Sequence, residues 1–181
     1  MKTKFACVVL WLGAAAGSAA EPKTVRATIL PPGNRKPAPE FSLRDASGKE
    51  AGLSGYRGNV MLLDFWATEC GGCRVEIPWF VELDQGYKGR GLKVVGVSMD
   101  VMYEGLKSAS EGWSRVKPFV RDRQINYQIL MGDDRVAKMY NVQAMPATYL
   151  IDKIGRIAAV YAGIVDRNDV ETHIKTLLAE H

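Results

Sequence analysis

The stretch LLDFWATECGGCRVEIP, residues 62–78, carries a pair of cysteines where two sequence patterns meet. The apolar run before the pair is broken only by Asp64 and is typical of a buried parallel strand. From Cys73 onward, apolar residues recur at helical spacing. Cys70 should therefore lie at a helix N-terminus, where unpaired N–H groups and the helix dipole favour a thiolate. Cys73, one turn further, could attack a mixed disulfide at Cys70, so the pattern predicts a redox pair.

Two structural interpretations of the cysteine pair are weaker. A static disulfide across two intervening residues would close a very small loop and constrain little of the unfolded chain. A zinc site needs about four ligands, and the histidines, His173 and His181, lie far along the chain. We therefore predict no metal ligands and no cofactor beyond the redox-active Cys70–Cys73 disulfide.

Residues 1–20 have the pattern of a secretory signal peptide. A basic start, MKTK, precedes the apolar run FACVVLWLGAAAG, and SAA then offers small residues before a cut after Ala20. The run is shorter than the roughly 20 apolar residues that span a bilayer, which argues against the alternative of a retained anchor. We expect an exported protein in the periplasm or cell envelope, an oxidising compartment. Cleavage removes Cys7 and leaves Cys70 and Cys73.

The remaining chain is interpreted as a proline-rich linker, residues 21–38, followed by one domain, residues 39–181. Strand and helix patterns predict the order β-hairpin, β, α, β, α, β, α, β, β, α. That order indicates an α/β fold with a central mixed sheet, flanked by helices and closed by an antiparallel pair. The patterns also predict a helix over residues 111–124 with Pro118 near its start, and a last helix capped by Asp166 or Asn168.

The composition is that of a soluble globular protein, with 47% hydrophobic and 24% charged residues and a formal net charge of +4. No basic stripe of the kind that binds nucleic acid is present in the sequence. We therefore exclude nucleic acid as a partner. We also expect a monomer.

The segment LLDFWATECGGCRVEIP closely resembles the active site of the thioredoxin superfamily. Together with GDDRVAKMYNVQAMPATYLIDKIGRI, it is similar to the TlpA/ResA-like branch of thiol-disulfide oxidoreductases. This resemblance implies a thioredoxin-like fold with an inserted helix-strand unit. It implies a cis peptide bond before Pro146 and a substrate chain that pairs with the backbone of Met145. It also implies that Trp66 supports the active-site loop next to the substrate.

Asp64 interrupts the buried strand, where an acid is costly unless it has a partner or a role. The resemblance places it behind the second cysteine as the general acid and base for Cys73. The alternative is a structural salt bridge, for which Lys93 and Lys153 are candidates.

Two residues beside the cysteines are expected to modulate them. An anion at Glu69 opposes formation of a thiolate at Cys70, while Arg74 could offset it. A strong oxidant needs a stabilised thiolate, so we expect a reducing couple. Gly72, where the family usually has proline, should leave the loop more flexible.

The expected partners are protein dithiols and disulfides, together with a membrane or periplasmic thiol electron donor. Two alternatives from other classes remain. A copper-binding or carrier protein could use the cysteine pair with Met145 as a further ligand. A thiol peroxidase would need the pattern P-x-x-x-T-x-x-C, whereas Thr68 stands only two residues before Cys70 and no proline is suitably placed.

Overall fold

The computed structural model describes residues 22–180, so the predicted signal peptide, residues 1–20, lies outside the described residues. Its centre is a seven-stranded mixed sheet with the order β2-β1-β5-β4-β3-β6-β7. Within the described part, no helix is both long enough and apolar enough to cross a membrane. The strands are β1 (Ser42–Asp45), β2 (Glu50–Gly52), β3 (Val60–Trp66), β4 (Leu92–Ser98), β5 (Gln128–Met131), β6 (Ala147–Ile151) and β7 (Ile157–Ala162).

The helices lie on both faces of this sheet. They are α1 (Gly71–Tyr87), α2 (Asp100–Tyr103), α3 (Ala109–Asp122), α4 (Asp134–Met139) and α5 (Arg167–Ala179). Apolar residues of α1, α3 and α5 pack against one face, and those of α4 pack against the other. The predicted α/β class and mixed sheet are therefore confirmed.

β3 is a fully buried strand, and every one of its residues is shielded from solvent. It runs parallel to β4 and antiparallel to β6. A strand buried on both faces needs apolar side chains at successive positions, which explains the continuous apolar run. Even-numbered residues from Val60 to Trp66 point to the α1, α3 and α5 face, and odd-numbered residues point to the α4 face. Asp64 thus points towards α1.

Most predicted elements are found with small shifts at their ends. The hairpin is β1 and β2, the closing antiparallel pair is β6 and β7, and the helix-strand unit is α3 and β5. Asp166 caps α5 by accepting hydrogen bonds from Asn168 N and Asp169 N, each at 3.0 Å.

The predicted position of Pro118 was wrong. Ser108 accepts a hydrogen bond from Glu111 N at 3.3 Å and starts α3 at Ala109, so Pro118 lies in the second half of that helix. The four-residue helix α2 was not predicted, because so short an element has no hydrophobic period to detect.

The proline-rich segment lies against the outer edge of the sheet. Leu30 N donates to Ala158 O at 2.8 Å, and Ile157 N donates to Lys36 O at 2.9 Å. An isolated parallel bridge pairs Val25 with Val165. The segment thereby occupies hydrogen-bonding groups that an edge strand would otherwise leave open.

Arg35 joins the same segment to the domain. Its guanidinium donates to Asp152 Oδ2 at 3.2 Å and to both carboxylate oxygens of Glu180, at 2.6 and 2.7 Å. Only 1% of the Arg35 side chain and 5% of the Asp152 side chain are exposed. A buried charge held in this way is costly to leave without its partner.

We expect Arg35→Ala to lower the free energy of unfolding by about 3 kcal/mol, because it leaves Asp152 buried beside Arg156 alone. Urea denaturation followed by circular dichroism measures this. Arg26→Ala is the matched control, since Arg26 also joins the segment to the domain but is largely exposed and pairs with Asp166 at the surface. Equal stability of the two variants would contradict the expectation.

Candidate active site

The two cysteines lie where the buried strand gives way to α1. Cys70 is the N-cap of α1 and Cys73 lies in its first turn. They form a disulfide with their Cα atoms 5.3 Å apart, and Cys73 N donates to Cys70 Sγ at 3.2 Å. Cys70 is 5% exposed and Cys73 is fully buried, so a partner can reach only Cys70. The helix N-terminus therefore faces the one accessible sulfur.

A second loop closes over the cysteine motif. The Met145–Pro146 peptide bond is cis, as predicted. A Cβ added at Gly72 would lie 3.0 Å from Pro146 Cδ and 3.1 Å from Ile164 Cγ1. Gly163 N donates to Pro146 O at 3.0 Å and ties the loop before α5 to the same place. The motif, Pro146 and Ile164 are thus in close contact, and Met145 is half-buried beside them.

Trp66 is fully buried at the end of β3. Its ring packs against Phe119 of α3 with ring centroids 5.3 Å apart. A Cβ added at Gly96 would lie 2.8 Å from Trp66 Nε1, so the neighbouring strand must carry glycine there. The substrate-binding role predicted for Trp66 needs correction, because the side chain has no surface to offer a partner. It belongs to the same buried apolar cluster as Cys70 and Cys73.

Asp64 is fully buried, and neither of its carboxylate oxygens has a hydrogen-bond partner among the described residues. Burial raises the pKa of Asp64 well above its ordinary value, and the nearby Thr148 and Glu76 lower it by less. The salt-bridge alternative is wrong for the described part of the chain, where no cation pairs with Asp64. Lys153 instead donates to Leu178 O at 2.9 Å, at the end of α5.

A second buried acid, Glu76, was not among the predicted site residues. It lies on α1, fully shielded, and its Oε2 accepts a hydrogen bond from Val165 N at 3.0 Å. Burial raises the pKa of Glu76 well above its ordinary value, repulsion by Asp64 raises it further, and the Val165 N–H opposes the rise. The helical pattern of the sequence could have indicated that Glu76 is buried. Glu76 lies three residues after Cys73 and four before Phe80, which places it on the apolar face of the helix.

Asp64 and Glu76 form a coupled pair on the face of the sheet that also buries Cys73. Two carboxylates that repel each other in an apolar interior cannot both ionise easily. The pair can therefore hold a proton close to the second cysteine and release or accept it when that thiol changes state.

Glu69 and Arg74 form an ion pair beside the cysteines, with Arg74 Nη2 donating to Glu69 Oε1 at 2.9 Å. Their side chains are 55% and 37% exposed, so solvent screens the pair. Arg74 also donates from Nε to Thr68 O at 2.6 Å. The arginine thus contacts both the acid and the loop that precedes Cys70.

The described side chains also bear on whether the protein could hold a metal ion. Across residues 22–180, no group of three or more His, Cys, Asp or Glu side chains is arranged to hold a metal ion.

A cysteine pair at a helix N-terminus, faced by a cis-proline on a mixed α/β sheet, defines a thioredoxin-like thiol-disulfide oxidoreductase. The chain belongs to the AhpC/TSA family, whose sequence model matches residues 35–160. Over 140 residues it is 34% identical to the thiol-disulfide oxidoreductase ResA of Geobacillus kaustophilus, covering 77% of this chain and 75% of that relative. It is 32% identical over 134 residues to the thioredoxin-like protein YneN of Bacillus subtilis, covering 74% of each.

Solved structures agree with the sequence relatives. The fold is similar to a thiol:disulfide interchange protein, DsbE, from Chlorobium tepidum, with a TM-score of 0.70, 26% identity and coverage of 87% of this chain and 100% of that one. A thioredoxin from Neisseria meningitidis gives a TM-score of 0.67 with 28% identity, covering 77% of this chain and 88% of that one. The predicted resemblance and the oxidoreductase class are confirmed, and the chain is a thiol-disulfide oxidoreductase of the ResA/DsbE type.

The two buried acids predict a pH-dependent stability. Both have pKa values raised by folding, so their stabilising effect is complete below the pKa values of the unfolded chain and is lost as pH rises through the folded ones. Burial raises the pKa of Asp64 to about 8 and that of Glu76 to about 10. We therefore expect the free energy of unfolding of the oxidised protein to fall between about pH 5 and pH 10, by at most about 1.4 kcal/mol per pH unit for each proton released. Urea denaturation at several pH values measures the slope.

Glu76→Gln should flatten this slope, because the amide keeps the Val165 hydrogen bond and removes both the ionisable group and its repulsion of Asp64. Glu82→Gln is the control, since Glu82 is on the same helix but is 55% exposed. If the free energy of unfolding of Glu76→Gln changed with pH as steeply as that of wild type, the interaction between Asp64 and Glu76 would be contradicted.

Proposed function

We propose that this protein is exported and reduces or exchanges disulfides in partner proteins through the Cys70–Cys73 dithiol/disulfide couple. One observation supports the proposal most: the accessible sulfur of Cys70 caps α1 and accepts the Cys73 N–H at 3.2 Å, with cis-Pro146 against the motif. This geometry favours a thiolate at Cys70 and leaves Cys73 behind it as the resolving thiol.

The reduced protein would act in two steps that conserve atoms and electrons. The Cys70 thiolate attacks one sulfur of a partner disulfide, forms a mixed disulfide and releases the first partner thiolate. Cys73 then loses its proton and attacks Cys70 Sγ, which forms the internal disulfide and releases the second partner thiolate. Two electrons pass from the dithiol to the partner.

The buried acids are suited to the proton transfer of the second step. Asp64 is the proposed general base for Cys73, and Glu76 shares its site and adjusts the energy of its ionised form. No other cofactor is required. The internal disulfide would be reduced again by a thiol electron donor in the membrane or the periplasm.

Export is proposed from the signal-peptide pattern of residues 1–20. The oxidising conditions of the periplasm or envelope provide disulfides as substrates. A protein that works there as a reductase needs its own supply of electrons, in agreement with the proposed donor.

Glu69 is proposed to keep the couple reducing. An anion next to Cys70 disfavours the thiolate, and a less stable reduced form makes a stronger reductant. Arg74 pairs with Glu69 and reduces this effect, since its positive charge lies at 2.9 Å from the carboxylate.

We expect Cys70→Ser to abolish reduction of insulin disulfides, because the attacking sulfur is lost. Cys73→Ser should accumulate a mixed disulfide with a partner, because nothing resolves it. Non-reducing electrophoresis and mass spectrometry detect that adduct. Two results together would favour the copper-carrier alternative over the proposed enzyme. Wild type would show no thiol-dependent activity, and it would bind one copper ion tightly, with that binding lost in Cys70→Ser.

Glu69→Gln should raise the thiolate fraction of reduced Cys70 at neutral pH by about twofold, a small effect because the acid is half exposed and paired. The absorbance of the thiolate as a function of pH measures it. Glu82→Gln is the matched control, since Glu82 is equally exposed, pairs with Arg167 and lies further along α1. An unchanged or smaller thiolate fraction in Glu69→Gln would remove the electrostatic role.

A further inference from the structure

Thr68 is a buried residue of the loop between β3 and Cys70, and it is held by Asp100 at the start of α2. Thr68 N donates to Asp100 Oδ1 at 3.1 Å and to Oδ2 at 3.2 Å, and the Thr68 hydroxyl donates to Oδ1. Thr68 is 4% exposed and Asp100 is fully buried. The carboxylate therefore binds the two donor groups of a single loop residue.

The remaining contacts of Asp100 come from the end of β4. Ser98 Oγ donates to Asp100 Oδ2 at 2.8 Å. No lysine or arginine of residues 22–180 forms an ion pair with Asp100, as the salt bridges of that part of the chain involve other acids. A buried carboxylate without a cation depends on such donors, so moving the loop would leave Asp100 poorly solvated.

The third polar group of Thr68 is held from the opposite side. Its carbonyl oxygen accepts a hydrogen bond from Arg74 Nε at 2.6 Å, and Arg74 follows Cys73 directly in α1. Cys70 N donates to Ala67 O at 3.2 Å, which closes a tight turn over Thr68. The loop is thus attached to α2 through Asp100 and to α1 through Arg74.

We propose that Asp100 is a positioning residue that keeps Cys70 at the N-terminus of α1 when the Cys70–Cys73 bond is open. The inference rests on the proposed dithiol/disulfide function. In the oxidised protein, the covalent bond ties Cys70 to α1. In the reduced protein that bond is absent, and the hydrogen bonds of Thr68 hold the loop in place. Loss of these bonds therefore penalises the reduced form more than the oxidised one.

The direction in which the thiolate fraction of Cys70 changes distinguishes a positioning role of Asp100 from a purely electrostatic one. If Asp100 acted only as a negative charge near Cys70, its removal would increase the thiolate fraction of Cys70. If it acts by holding the loop, its removal lets Cys70 leave the helix N-terminus and decreases the thiolate fraction. Thr68→Val tests position alone, since it removes the hydroxyl and retains the charge of Asp100.

The experiment compares the reduced full chain of wild type, Asp100→Ala, Thr68→Val and Thr68→Ser. Thiolate absorbance against pH gives the thiolate fraction of Cys70, and equilibration with glutathione gives the ratio of oxidised to reduced protein. We expect Asp100→Ala and Thr68→Val to lower the thiolate fraction at neutral pH by about three- to tenfold, the size expected for the loss of one hydrogen bond of ordinary strength. The glutathione equilibrium should shift towards oxidised protein by a similar factor.

Thr68→Ser keeps the hydroxyl and should behave as wild type. Asp45→Ala is the matched control for loss of a loop-holding carboxylate, because Asp45 accepts Ser47 N at 2.8 Å, Lys49 N at 3.0 Å and the Ser47 hydroxyl at 2.6 Å in the hairpin turn. It should lower stability and leave the thiolate fraction unchanged.

Three results would overturn the proposal: a higher thiolate fraction in Asp100→Ala, an unchanged fraction in Thr68→Val, or equal destabilisation of the oxidised and reduced forms. If Asp100→Ala does not fold, Thr68→Val decides the question. A wild-type protein that fails to reduce insulin while Thr68→Val still shifts the thiolate fraction would refute the proposed function and leave the positioning role standing.

Discussion

The hydrogen bond from Cys73 N to Cys70 Sγ, at the start of α1, is the interaction around which the site is organised. It exists because β3 ends at the buried Trp66 and, after a short loop, the chain enters a helix whose first N–H groups need acceptors. A sulfur in the N-cap position meets that need as a thiolate or as part of a disulfide. We propose that the remaining features either hold this sulfur in place or transfer the proton of Cys73.

Holding the sulfur requires contacts from elements far apart in the chain. Pro146 and Ile164 close against Gly72, so a side chain at Gly72 would push against both residues, in addition to any effect on loop flexibility. Thr68 is bound by Asp100 and Arg74. The cysteine motif is therefore a junction between three loops and one helix, which limits the directions from which a partner can approach Cys70.

The proposed proton transfer would require ionisable groups in the interior, and burying such groups destabilises the fold. Asp64 from β3 and Glu76 from α1 bury two carboxyls in an apolar cluster, where burial makes the ionised form of each less favourable and repulsion by Asp64 raises the pKa of Glu76 further. Other contacts must offset this cost, and the buried ion pairs of Arg35 with Asp152 and Glu180 are among those that join distant segments of the fold. Activity and stability thus place opposing demands on the same small domain.

The sequence alone determined the class of the fold and the reacting atoms. Buried strands and amphipathic helices have local periods, so the mixed sheet, the closing pair and the capped last helix were predictable, and the CxxC spacing identified Cys70 and Cys73. The cis bond before Pro146 followed from the family resemblance. Pro118 was misplaced because a single Ser cap, Ser108, decides where α3 starts.

Only the tertiary structure decided which polar residues are buried around the cysteine motif. The place of Glu76 on the apolar face of α1 could be found in the sequence, but its burial beside Asp64 could not, and Asp100 lies on a helix too short to leave a pattern. Lys153, a candidate partner for Asp64, is instead bound to the end of α5. The physical reason is common to these cases: solvation and hydrogen-bond partners depend on contacts between distant segments, and a local pattern contains no information about them.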